Sequence, residues 1–216
     1  MPQLILSLPS FDPALIRAVA AAGWKDVLLD LEHIPYTEPE VVAAWRAAKD
    51  AGMTAQLKMS DLHPDAYVRF LRFGVREFVL PHVEDASGVE AIFAEMGANP
   101  VPNRNAIKLY PLIESRAGIA AIPAICAAPG VAGVLLGAVD LALDLGFTIR
   151  SIADVEACGE TLAPHLIAAC DSIRASGKPN GCYLMRSWID FFPLDRIDRV
   201  TLPLGALLAP SSLGIA

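Results

Sequence analysis

YPLIESRAG (residues 110–118) and GVLLGAVDLALDLG (residues 133–146) share the pattern of a buried parallel strand that leads into a helix. In each stretch a short apolar run is followed by a carboxylate, Glu114 or Asp140, and then by helix-like sequence. Successive strands that each lead into a helix run parallel, so their carboxyl ends share one face. We therefore expect both carboxylates at the face where barrel enzymes carry their catalytic groups.

The same alternation of strand and helix continues along the rest of the chain. The predicted strands are LILSL (4–8), VLLDLEH (27–33), TAQLKM (54–59), EFVLPHV (77–83), AIKLYPLIE (106–114), GVLLG (133–137), NGCYLM (180–185) and RVTLPLG (199–205). Capping residues or an early proline indicate helix starts at Asp12-Pro13, Thr37 with Glu40, Pro64, and Ser87 with Glu90. Further helices are predicted from Ser115 to about Ala127, from about Ala153 to Ser176, and shortly after Ser187.

Eight such units predict a (β/α)8 TIM barrel of the α/β class, formed as a single domain over residues 1–216. An open doubly wound sheet is the alternative. Only ALLAPSSLGIA (206–216) follows the last strand, so the eighth helix is expected to be short or missing. A second subunit would cover the apolar wall left open, which favours a homo-oligomer.

Composition narrows the possible partners and the compartment. The net charge is −7 and the pI is about 5.0, and the absence of a basic run argues against a nucleic-acid partner. Four cysteines without CxxC spacing are expected to be reduced core residues. The N-terminal LILSL is too short to span a bilayer and lacks a basic flank, so we expect a cytoplasmic protein without membrane contact.

Glu114 and Asp140 suit a hard divalent cation. Mg²⁺ and Mn²⁺ take oxygen ligands and keep several waters, so two carboxylates and an anionic substrate complete a site. The structural alternative for each acid is capping of the helix that follows it. Their position on adjacent strands favours the metal site.

Four segments together resemble one known family. LLDLEHIPY (28–36), FVLPHVEDA (78–86), PLIESRAG (111–118) and GVAGVLLGAVDLALDLG (130–146) are similar to the HpcH/HpaI aldolase and citrate lyase β-subunit superfamily, metal-dependent lyases on a (β/α)8 barrel. The resemblance covers roughly residues 24–147, and its most specific parts are IES and VDLALDLG.

The resemblance implies a role for each matching residue. Glu114 and Asp140 match the family's Mg²⁺ or Mn²⁺ ligands, which hold a 2-oxo acid or its enolate by two oxygens. Backbone amides around Gly137, Ala138 and Asp140 match the loop that receives the substrate carboxylate. His33, after Glu32, matches the histidine that supports proton transfer. The implied activity is an aldolase that cleaves or forms pyruvate or a related 2-oxo acid with an aldehyde.

Two positions and one connection depart from the family pattern. Lys58 stands where the family has an arginine that contacts substrate oxygen, and the alternative is a lysine that extends into solvent. Leu112 stands where many aldolases carry glutamine. The short connection NPVPNRN (99–105) resembles the citrate lyase β and acyl-CoA lyase branch, which usually has aspartate in place of His33.

Two other functions therefore stay open. One is an acyl-CoA ester lyase or Claisen-type condensing enzyme, and the other is a non-catalytic barrel subunit. His82, at the end of the fourth predicted strand, is a second histidine candidate for proton transfer.

Overall fold

The computed structural model describes residues 1–100, 106–184, 188, 192 and 194–204. Its eight strands are β1 Gln3–Leu8, β2 Asp26–Asp30, β3 Thr54–Lys58, β4 Glu77–Leu80, β5 Lys108–Ile113, β6 Val134–Gly137, β7 Asn180–Tyr183 and β8 Arg199–Pro203. Each strand pairs in parallel with the next, and β8 pairs with β1. The closed barrel confirms the predicted (β/α)8 fold, and the open sheet was the wrong alternative.

Helices connect the strands around the barrel. They are α1 Pro13–Ala21, α2 Glu38–Asp50, α3 Pro64–Arg72, α4 Ala86–Ala98, α5 Arg116–Ala120, α6 Ile122–Ala127, α7 Ala138–Asp144 and α8 Ile152–Ala175. A 3₁₀ turn at Leu194–Arg196 precedes β8. In the described part of the chain, none of the helices is both long enough and apolar enough to cross a membrane.

Most predicted helix starts are confirmed by their caps. Asp12 accepts a hydrogen bond from the Ala14 N–H at 2.8 Å, and Glu40 accepts one from the Thr37 N–H at 2.8 Å. The predicted cap of α4 was wrong. Asp85, rather than Ser87, caps α4, and its carboxylate accepts from the Ser87 N–H at 2.8 Å.

The predicted helix from Ser115 to about Ala127 is divided in two. Pro123 lacks the N–H that would continue the α5 ladder, so α6 begins at Ile122 with this proline in its first turn. Two predictions concern segments outside the described residues. They are the short or missing eighth helix within residues 205–216 and most of the short helix after Ser187.

The barrel has two apolar regions, one on each face of its wall. The larger region lies between strands and helices, as the alternation of side chains along each strand requires. The smaller fills the middle of the lumen and consists of Ile5, Leu28, Val79, Tyr110, Leu112 and Leu135. This apolar layer separates polar groups at the two ends of the barrel.

A polar network closes the amino-terminal end of the lumen. Glu77 accepts hydrogen bonds from Gln56 at 3.1 Å, Lys108 at 2.9 Å and Tyr110 at 3.3 Å. The Arg199 guanidinium stacks on the Tyr110 ring at 4.3 Å. Burial raises the pKa of Glu77, but the hydrogen bonds from Lys108 and Gln56 outweigh it and hold the pKa below its usual value. The ionised carboxylate therefore stabilises the fold.

We expect Glu77→Gln to lower the free energy of unfolding by about 2–3 kcal/mol at pH 7, because Lys108 loses its carboxylate partner and the nearby Arg199 loses a favourable charge. The native pKa of Glu77 is lowered, so this stabilisation is present above pH 4.5 and is lost as pH falls through the native pKa. Denaturant unfolding at pH 7 and at pH 4 measures the change, with exposed Glu90→Gln as the control. An equal loss at both pH values would contradict the electrostatic origin.

Candidate functional site

A cavity of about 360 Å³ opens at the carboxyl-terminal end of the barrel. Its lining includes six of the seven site residues predicted from the sequence: His33, Lys58, Glu114, Gly137, Ala138 and Asp140. The second histidine candidate, His82, does not line the cavity but contacts Glu114 beside it. Asp30, Leu112 and Tyr183 contribute to the same wall. The structure therefore brings the predicted residues together at one site.

Asp30 organises the turn after β2. The strand ends at this residue, earlier than predicted, and its Oδ1 accepts the N–H groups of Glu32 at 2.9 Å and His33 at 3.1 Å. Its Oδ2 lies 3.0 Å from His33 Nδ1. Asp30 thus fixes both the turn and the imidazole. Sequence analysis missed this residue, although an aspartate two or three residues before the groups it bonds is typical of such turns.

Lys58 is buried at the end of β3, with 4% of its surface exposed, so the solvent-extended alternative was wrong. Its Nζ lies 2.6 Å from Glu32 Oε2, 3.9 Å from Asp30 Oδ2 and 3.5 Å from His33 Nδ1. A buried ammonium group requires such carboxylate partners, since removal from water strongly disfavours an isolated charge. The β2 turn and the end of β3 form one charged cluster.

His82 joins this cluster to the end of β5. Its Nε2 lies 2.7 Å from Glu32 Oε1, its Nδ1 lies 3.0 Å from Glu114 Oε2, and its backbone N–H donates to Glu114 Oε2 at 3.1 Å. A neutral imidazole has one N–H, so both ring contacts require a second proton on the ring or on a carboxylate. His82 has φ +50°, a backbone conformation that residues with side chains seldom adopt.

Glu114 and Asp140 line the same cavity. Glu114 follows β5 directly, and Asp140 lies in the first turn of α7. Burial raises the pKa of Glu114 to about 7, and the Asp140 charge adds to the rise, while His82 and Lys58 oppose it. The Glu114 carboxylate lies against Gly137, where a Cβ atom would overlap it. A residue without a side chain is therefore required at position 137 for the Glu114 carboxylate to occupy this place at the start of α7.

Two groups at this site could hold a divalent cation. Ligand atoms of Asp30, Glu32 and His33 all lie within 4.8 Å of one another, but the Lys58 ammonium already pairs with this group. In the described chain, no lysine or arginine forms an ion pair with Glu114 or Asp140. Glu114 is buried, Asp140 is partly buried, and neither has a paired ammonium or guanidinium group, so these two carboxylates fit a hard cation better.

The family is shown by comparison with known proteins. Residues 3–190 match the model of the HpcH/HpaI aldolase/citrate lyase family, and the chain belongs to this family. A curated pyruvate aldolase from Rhizobium etli is 26% identical over 189 residues, which cover 76% of this chain and 70% of that protein. The family includes aldolases and citrate lyases, so at this level its members are lyases.

Solved structures agree with the barrel. The citrate synthase SbnG aligns with a TM-score of 0.78 and 22% identity, over 94% of this chain and 86% of that chain. The citrate lyase β subunit from M. tuberculosis, solved with oxaloacetate and magnesium, aligns with a TM-score of 0.63 and 20% identity, over 94% and 91% of the chains. At these identities the likeness establishes the fold.

We expect Glu114→Gln to stabilise the metal-free protein at pH 8 by about 1–3 kcal/mol. The native pKa of Glu114, about 7, lies above the ordinary 4.5, so its ionisation destabilises the fold increasingly between these pH values and fully above them. Glutamine removes that charge. Thermal unfolding with a chelator at pH 8 and pH 4.5 measures the effect, with exposed Glu84→Gln as the control. A variant less stable than wild type at pH 8 would contradict a destabilising charge.

Proposed function

We propose that this protein is a divalent-metal-dependent lyase that cleaves or forms the carbon–carbon bond beside the carbonyl of a 2-oxo acid such as pyruvate, with an aldehyde as the second substrate. The observation that carries the proposal is the pair of converging carboxylates, Glu114 and Asp140, in a cavity that also contains the buried Lys58. The similarity to a pyruvate aldolase supports the substrate class.

Glu114 and Asp140 would hold the cation, with Mg²⁺ or Mn²⁺ as the candidates. Both acids lie at the carboxyl ends of neighbouring strands, and β5 pairs directly with β6. A cation held there would supply Lewis-acid stabilisation to the enolate that bond cleavage leaves. Backbone amides around Gly137, Ala138 and Asp140 would receive the substrate carboxylate.

Lys58 would supply a positive charge near the developing enolate oxygen. Its ammonium group is held by Glu32 at 2.6 Å, and it lines the same cavity as Glu114. A preorganised cation in a site shielded from water stabilises such an oxygen without rearranging during the reaction. Lysine offers a point charge and three donors, which places less constraint on substrate geometry than a planar guanidinium group does.

In cleavage, His33 would take the proton of the substrate hydroxyl group as the carbon–carbon bond breaks, and would then return a proton to the enolate carbon. Asp30 Oδ2 lies 3.0 Å from Nδ1, which favours a proton on that nitrogen and leaves Nε2 available as a base. The side chain is 61% exposed at the cavity mouth, so it can exchange protons with water. Asp30 acts as the positioning residue for this histidine.

An acyl-CoA ester lyase or Claisen-type enzyme is the second candidate. The shared barrel of citrate synthase SbnG and the citrate lyase β subunit favours it, and it would use the same cation and enolate. Thermal shift with pyruvate and with acetyl-CoA distinguishes the two, since tight acetyl-CoA binding would favour the second.

The single-domain organisation, homo-oligomeric state and cytoplasmic location expected from the sequence also belong to this proposal.

Metal titration tests the ligands. Glu114→Gln and Asp140→Asn should each abolish metal-dependent cleavage and weaken Mn²⁺ binding by more than about 10²-fold, because changes outside the ligand shell already cost 10–100-fold. His33→Ala is the matched control. It should keep the Mn²⁺ affinity while turnover falls by about 10²-fold. Unchanged Mn²⁺ affinity in both carboxylate variants would disprove the assigned site.

Substitution of Lys58 tests whether its ammonium group stabilises the enolate oxygen. Lys58→Met should lower kcat/KM for 2-oxo acid cleavage by about 10²-fold or more, the scale of losing one oxyanion donor. Lys58→Arg should retain much of the activity because it keeps the charge. Lys49→Met, on the exposed face of α2, is the control and should be neutral. Near-normal turnover of a folded Lys58→Met variant would exclude a catalytic lysine.

A further inference from the structure

Tyr183, the last residue of β7, points into the barrel lumen. Its ring packs against the apolar layer that contains Leu112 and Leu135, and it lines the cavity beside Glu114 and Lys58. The Lys58 Nζ lies 5.7 Å from the centre of the ring. The tyrosine thus forms part of the floor beneath the proposed substrate position.

The hydroxyl group of Tyr183 is buried and has no hydrogen-bond partner among the residues that the structure describes. Buried hydroxyl groups in proteins are nearly always bonded, and an unsatisfied one costs a large part of its hydration. The two other tyrosine hydroxyl groups in the described interior have partners. Tyr67 donates to the Asp61 carbonyl at 2.8 Å, and Tyr110 donates to Glu77 at 3.3 Å.

The charges around Tyr183 keep its hydroxyl group protonated. Burial raises the pKa of the phenol well above its usual value, and Asp30, Glu114 and Glu32 raise it further. A phenol in this setting is a permanent neutral donor. Leu112 and Tyr183 both line the cavity, and of these two side chains only that of Tyr183 carries a hydrogen-bond donor.

We propose that Tyr183 is a substrate-binding residue whose hydroxyl group donates a hydrogen bond to an oxygen of the bound 2-oxo acid. The inference rests on the proposed function and extends it. Tyr183 from β7 and Lys58 from β3 would then approach the substrate from two walls, one as a neutral donor and the other as a cation. Two donors directed at an oxygen that gains negative charge stabilise the enolate more than either donor alone.

The decisive variant is Tyr183→Phe, which removes one oxygen atom and preserves the ring. Binding of oxalate, a stable analogue of the pyruvate enolate, is measured by calorimetry on the Mn²⁺-loaded protein. The oxalate affinity should fall by roughly 10-fold to 100-fold, as expected for a lost hydrogen bond to a charged group. The Mn²⁺ affinity should stay within about twofold of wild type, since removing a neutral hydroxyl group leaves both carboxylates in place.

Tyr110→Phe is the matched control in the same lumen. Its hydroxyl group already has a protein partner, so its loss should lower the midpoint of thermal unfolding and leave the oxalate affinity unchanged. Tyr183→Phe should have the opposite stability effect. The metal-free variant should unfold at the same or a higher temperature than wild type, because an unsatisfied buried donor has been removed.

The outcomes separate this inference from the proposed function. If Tyr183→Phe binds oxalate as tightly as wild type does, the hydroxyl group makes no hydrogen bond to the ligand. The inference then fails while the proposed function stands. A lower unfolding midpoint for metal-free Tyr183→Phe would also overturn the inference, since it would reveal an internal partner. If Mn²⁺-loaded wild type binds no oxalate, the proposed function and the inference fail together.

Discussion

The site depends on an imbalance of buried charge. Four carboxylates meet at the carboxyl-terminal end of the barrel, those of Asp30, Glu32, Glu114 and Asp140. Of the described lysines and arginines, Lys58 alone forms ion pairs with any of them, and it pairs with those of the β2 turn. Burial of a carboxylate without an ammonium or guanidinium partner is costly, which supports the proposed divalent cation beside Glu114 and Asp140. The raised pKa of Glu114 reflects the same imbalance.

His82 links the charged cluster of the β2 turn and Lys58 to Glu114 at the end of β5. It contacts Glu32, which holds Lys58, and Glu114, a proposed metal ligand. A left-handed backbone conformation for a histidine costs of order 1–3 kcal/mol, and such strain tends to persist at functional sites. The contacts explain why the strain is tolerated here, since both ring nitrogens and the backbone N–H face carboxylate oxygens. A change in charge at Glu114 would therefore be felt at Lys58 through a chain of direct contacts.

Both ends of the lumen contain buried carboxylates, but the surrounding charges balance them at one end only. At the amino-terminal end, Glu77 is matched by Lys108 and by neutral donors, so the network is balanced and stabilises the fold. At the opposite end, acids exceed cations, and the ionised Glu114 destabilises the fold at the site where we propose a metal and a substrate. Glycines serve both ends. Gly137 admits the Glu114 carboxylate, and Gly181 gives room to Arg199 and Leu135. The apolar layer between the ends keeps the two charge systems apart.

The amino-acid sequence by itself determined the eight strands, most of the helix starts, and the position of Glu114 and Asp140 at the strand-to-helix junctions. These features are local, because hydrophobic periodicity, caps and the order of strand and helix are all contained within short segments. The resemblance to the family indicated His33 and Lys58, each at the end of a predicted strand. The cap of α4 was misassigned because Asp85 and Ser87 are both good caps, and only the backbone geometry distinguishes them. The pairing of Lys58 with Glu32, the bridge through His82 and the position of the Tyr183 hydroxyl group were decided only by the tertiary structure. Each joins residues that are distant in sequence, and their contacts depend on the register of strands around the closed barrel, which no single segment encodes.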